Sequence, residues 1–161
     1  MKHYVNAVLG TGAALMALIV VIMGVQVFYR YFLGSALIWA EEVCRYALIW
    51  ITFLLSGVAF MRGEMAAMEM LMKRAPPLVR ALLLGPAYMA SAAFLFVLTW
   101  YGWKYAAGNL NQTMPAAGFI AESVGQDMSL SIFWVYLAVP VGCALLGLHM
   151  AAAGVALLRS R

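Results

Sequence analysis

Glu41, Glu42 and Arg45 are the residues of this sequence whose types and spacing most invite chemistry. One acid stands four positions before the arginine and the other three, so all three reach one another on a helix, with the acids on the favoured N-terminal side. Three readings are open. The charges form an interfacial ion pair that neutralises Arg45 where a helix enters a bilayer, or a protonatable pair that couples ion flow, or a contact to a partner chain. Their place weighs against the second reading, because the acids lie at the end of an apolar span. No acid or base stands in the middle of any apolar stretch. A chain built this way has no path of its own for a charged substrate or a coupling proton.

The remaining reactive residues carry less. His3 and His149 are the histidines. A bis-histidine haem needs both at one depth, but His149 lies ~15 Å along a helix from the surface that holds His3. His149 is therefore expected to be hydrogen-bonded among helices. Cys44 and Cys143 fall in different apolar stretches with no CxxC, which argues against thiol-redox chemistry and a cysteine zinc site. Met61, Met65, Met68 and Met72 recur at helical spacing; methionine suits adaptable packing, and copper ligation lacks a nearby His or Cys. Trp50, deep in an apolar run, needs a partner for its N–H. Nothing resembles a phosphate loop, a nucleophile–base pair or a zinc motif. The sequence reads as a non-enzyme without a cofactor.

The elements that position these residues are membrane helices. The 161 residues are 66% hydrophobic and 10% charged, with a mean hydropathy of +0.95, whereas soluble domains are nearer half apolar and a quarter charged. The net charge of +4 is spread over span ends, with no basic stripe carrying stacking aromatics, so nucleic acid is not a partner. Four spans are expected, at residues 4–29, 43–61, 81–103 and 131–158, in one membrane domain over 1–161. The N-terminal run is too long for a signal-peptide core and reads as a retained span.

Between the spans, residues 30–42 read as a short interfacial helix. Residues 105–130 form the longest polar stretch and read as a loop. Pro76-Pro77 ends any extension of span two. Three stripes of small or polar residues suggest close helix packing: Gly10, Ala13, Ala17, Val21 and Gly24; then Arg45, Thr52, Ser56, Ala59 and Gly63; then Ala144, Gly147, Ala151 and Gly154. Lys2, Arg62, Lys73, Arg74, Arg80, Arg159 and Arg161 would share one side of the membrane. Arg30, Arg45 and Lys104 would share the other, where most interfacial aromatics cluster. The excess of basic residues places both termini in the cytoplasm.

Residues 25–71 carry a recognisable pattern: Arg30-Tyr31 after span one, then Trp39, Glu41, Glu42 and Arg45, an apolar span ending at Arg62-Gly63, and a short tail with Glu69. Asn6 and the run from Trp134 and Tyr136 to Pro140 and Gly142 belong to it too. The pattern resembles the small membrane subunit (Q-type, DctQ-like) of tripartite ATP-independent periplasmic (TRAP) transporters. Met65 departs from it, standing where the family usually has a polar residue. Met68-Glu69 likewise replaces the common Val-Asp, and residues 119–130 make a longer outer loop.

The resemblance implies a scaffold subunit in a bacterial or archaeal inner membrane. Such a subunit binds a large many-helix subunit that moves organic acids by a sodium-driven elevator motion, with sodium bound on that partner. A periplasmic binding protein delivers the substrate. Arg30, Trp39, Glu41, Glu42, Arg45, Trp50, Arg62, Gly63 and Glu69 are then structural or partner-contact residues. The alternative is a four-span membrane anchor of a redox enzyme complex.

Overall fold

The structure, a computed structural model, describes residues 2–62, 77–124 and 130–159. It is helical: α1 (Lys2–Phe32), α2 (Ile38–Met61), α3 (Pro77–Gly108), α4 (Pro115–Val124), α5 (Phe133–Tyr136) and α6 (Ala138–Arg159). Among the described residues, four helical stretches are long and apolar enough to cross a membrane: His3–Phe32, Ile38–Met61, Leu82–Gly108 and Phe133–Leu157. This is the all-α, four-span architecture that the hydropathy pattern implies.

The spans begin and end later or earlier than composition suggests, each for a local reason. No interfacial helix occupies residues 30–42. Instead α1 runs on to Phe32, with Arg30 in its last turn where a cation complements the helix dipole. Gly34, at φ +66°, then turns the chain, a left-handed conformation that glycine adopts without steric cost. The α2 helix starts at Ile38, because Ala40 is fully buried and draws the first turn into the packing. Pro77 is the first helical residue of α3, where its missing N–H is no loss. The last span is nicked at Leu137, between α5 and α6. Pro140 has no N–H for the carbonyl of Tyr136, yet bonds from Leu137 N to Phe133 O (2.9 Å) and from Val141 N to Leu137 O (3.2 Å) carry the axis through.

Residues 105–130 are only partly loop, because α4 lies within them. Ala116 and Ala117 are buried, and α4 packs on α2. The strand-like clamp below it joins Met114 N to Leu130 O (2.8 Å) and Ile132 N to Gln112 O (2.9 Å). Ser131 Oγ also donates to Leu110 O at 2.7 Å. This cross-tie holds α4 across the end of α2.

The spans form a row and not a four-cornered bundle. Among the described residues α1 packs on α2, α2 on α6, and α6 on α3. The last span, Phe133–Leu157, is the most enclosed of the four and α1 the least. Glycines make α6 the middle of the row. A β-carbon on Gly142 would lie 2.5 Å from Phe53 Cβ, so α2 and α6 touch backbone to backbone there. On the opposite face, Gly147 admits Leu95 and Gly154 admits Tyr88 and Met89 of α3. Such close approach is how helices associate in lipid, where no hydrophobic drive separates helix from solvent.

The stripe of Ala144, Gly147, Ala151 and Gly154 therefore does face a helix of this chain. The other two stripes do not. On α1, Gly10, Ala13, Ala17, Val21 and Gly24 are all exposed, and nothing lies within 4 Å of where side chains on Gly10 and Gly24 would begin. It is Gly12 that meets Leu55 of α2, with Cys44 Sγ 4.0 Å from Ile19 O further along. On α2 the buried face is Ala40, Cys44, Ala47, Ile51 and Val58, while Arg45 and Thr52 are exposed. The hydroxyls explain this. Thr52 donates to Leu48 O and Ser56 to Phe53 O, both at 2.8 Å, so neither needs a neighbouring helix. Gly63 and the Met65–Met72 part of the methionine run lie outside the described residues.

Candidate functional site

Polar side chains gather at one end of the row, around the start of α2. Arg45 Nη2 stands 3.3 Å from Glu41 Oε1, and both side chains are exposed, 64% and 67%. Glu42 turns the other way. It is half-buried, and its Oε2 is shielded with no hydrogen-bond partner among the described residues. Tyr46, one turn on, has its hydroxyl within hydrogen-bonding reach of the Glu42 carboxyl. Tyr136 of α5 lies near Tyr46, and its ring meets that of Tyr105 on α3 edge-on. The rings of Tyr105 and Tyr136 are 5.0 Å apart at 63°. A carboxylate and three phenols thus cross from α2 through α5 to α3. On α1, Gln26 Oε1 is a second shielded acceptor without a donor among the described residues.

The two acids of the Glu41-Glu42-Arg45 group therefore have different surroundings, which helical spacing alone leaves open. Glu41 takes the arginine, and Glu42 takes the interior. An exposed pair of this kind is worth about 0–1 kcal/mol. Arg45→Ala is accordingly expected to change the melting temperature and partner co-purification little, by less than about 1 kcal/mol. A larger loss in either measurement would mean that Arg45 has a second, shielded partner. The Glu42–Tyr46 step was open to sequence reasoning, because it is another i, i+4 pair; Tyr105 and Tyr136 have no such signal, being brought in by separate elements.

The other expected site residues are spread out. Arg30 is exposed at the end of α1, and Trp39 is half-buried in the first turn of α2. Trp50 is half-buried midway along α2. Arg62 caps the C-terminus of α2, its backbone N–H bonded to Val58 O at 3.0 Å. Glu69 and Gly63 fall outside the described residues.

At the opposite end, His149 Nδ1 is 2.6 Å from Leu145 O. Its ring stacks on Tyr4 with 6.0 Å between centroids, and Gly57 leaves room for it. This is the helix-enclosed histidine that its depth implies. Among the described residues no three His, Cys, Asp or Glu side chains converge, and no polar or charged residue is fully buried.

The family model of the tripartite ATP-independent periplasmic transporters, DctQ component, matches residues 19–160. The chain belongs to the DctQ family. A Haemophilus influenzae protein, provisionally named a TRAP transporter small permease protein, is 26% identical over 119 residues, 73% of this chain and 74% of that protein. The match covers Arg30, Trp39, Glu41, Glu42 and Arg45 together with α2 to α6, but not Asn6. This DctQ-family chain is thus a small permease component of a multi-pass membrane transporter.

Proposed function

We propose that this chain is the scaffold subunit of a sodium-driven, binding-protein-dependent secondary transporter for organic acids. It binds the large many-helix subunit and carries no transport site of its own; sodium and substrate bind the partner. The observation that supports this most is the row itself. A four-cornered bundle could enclose a pathway, whereas the described spans, in a single row, have two broad apolar faces and enclose no lumen among the described residues. The α1 helix, the least enclosed of the four spans, extends that apolar surface. Fixed charge is confined to the helix ends, so a static brace costs nothing in buried ionisation.

The positive-inside rule supports an inner-membrane orientation with both termini cytoplasmic, since Lys2, Arg62 and Arg159 share one end and Arg30, Arg45 and Lys104 the other. The polar end around Glu41, Glu42 and α4 then faces the periplasm, where the binding protein docks. The family match leaves the redox-anchor reading without an observation in its favour.

The test is reconstitution. The chain should co-purify stably with the large subunit in detergent. Proteoliposomes holding both, with binding protein and a sodium gradient, should accumulate substrate. Proteoliposomes holding this chain alone should not, and robust uptake by them would end the proposal.

A further inference from the structure

We propose that the groove between α3 and α6 binds one acyl chain of an anionic glycerophospholipid whose phosphate is held by Lys104. The groove measures about 460 Å³ and is lined mainly by Phe96, Trp100, Trp103, Pro140, Val141 and Ala144. Its size falls within the usual range for small-molecule sites. It exists because the two helices pinch together on glycines at Gly102–Pro140 and Gly147–Leu95, while small Ala144 leaves space between the aromatic side chains of α3.

The lining selects a hydrocarbon. Its hydroxyl, on Thr99, donates back to Leu95 O at 2.8 Å and has no proton left for a ligand. Length selects a lipid over a partner helix. From Phe96 to Trp103 is about 10 Å of axis, a third of the ~30 Å hydrocarbon core, which suits part of one leaflet's acyl chain. Charge selects the headgroup. Lys104 follows Trp103 directly and stands one turn beyond Trp100 on the same helix face. It is exposed, and among the described residues the ion pair is Arg45–Glu41, which leaves Lys104 unpaired. A lysine one turn past an apolar groove reaches the phosphate layer as its stem lies along apolar surface. Trp100 and Trp103, both exposed, sit where indoles favour the headgroup boundary.

The experiment uses the full chain in nanodiscs of phosphatidylcholine doped with bromine-labelled phosphatidylglycerol or bromine-labelled phosphatidylcholine, reading quenching of tryptophan fluorescence. The labelled phosphatidylglycerol should associate about fivefold more tightly than labelled phosphatidylcholine, the preference expected of one lysine near an anionic headgroup. Lys104→Gln, an exposed change, should abolish that preference while leaving quenching by phosphatidylcholine intact. Ala144→Phe, which fills the groove, should lower quenching by both lipids. Equal association of the two lipids with the wild-type chain would overturn the proposal, as would a preference that survives Lys104→Gln. So would an Ala144→Phe variant that quenches normally but no longer co-purifies with the large subunit, since a helix of that partner would then be the occupant.

Discussion

Gly142→Ala should lower the melting temperature of the purified chain by several degrees, equivalent to a loss of about 1–3 kcal/mol. The added carbon would sit 2.5 Å from Phe53 Cβ, 2.7 Å from Phe53 O and 2.9 Å from Phe53 C. Two of those atoms belong to the backbone of α2, so no rotamer change relieves the clash and the helices must part. Parting them also unpacks Gly57 from His149, because α2 and α6 run side by side. Two control glycines bracket the effect. At Gly102 a β-carbon meets Pro140 and Val139 at 3.4–3.6 Å, ordinary contact. At Gly10 it meets nothing, and alanine there should be neutral or stabilise by up to about 1 kcal/mol through helix propensity. A Gly142→Ala variant that melts with the Gly10→Ala variant would refute the backbone contact.

Glu42→Gln should act in the opposite direction on stability. A shielded carboxylate oxygen without a donor costs about 1–3 kcal/mol. Glutamine keeps the shape and retains an acceptor for Tyr46, and a neutral amide costs less to shield than a charged carboxylate. The chain should therefore melt at a higher temperature, while Glu41→Gln, which removes only an exposed pair, should shift it by under about 1 kcal/mol. If the charge serves assembly or binding-protein docking, the stabilised variant should also support slower uptake in the reconstituted transporter, the usual exchange of stability for function at such groups. A lowered melting temperature with normal uptake would show instead that the carboxylate is satisfied in the folded chain and has no further role.

Several elements were legible in the sequence and others were not. The four spans follow from runs of apolar residues. Pro76-Pro77 was legible as a stop for any extension of span two, whereas the start of α3 at Pro77 and the nick at Leu137 were not, the spans being expected at 81–103 and 131–158. Helix α4 was hidden because polar residues on either side of it gave the stretch from Tyr105 to Leu130 the composition of a loop, although Pro115, Ala116, Ala117 and Ile120 carry a helical pattern. The interfacial helix expected at 30–42 failed because apolar residues there belong to the two flanking spans, separated by Gly34.

By itself the sequence determined how many times this chain crosses the bilayer, which side chains stand at the helix ends, and that no charge stands at mid-depth. These are local matters, set by the transfer free energy of each residue and by the reach of one helix turn. Only the tertiary structure decided which faces meet. It placed α6 in the middle of the row, turned Gly142 and not Ala144 toward α2, left the small stripe of α1 uncovered, and sent Glu42 inward while Glu41 stayed out. A small or polar stripe has the same spacing whether it faces a sister helix, a partner or lipid. The choice depends on the shapes of neighbours far away in the chain, which one helix's periodicity does not contain.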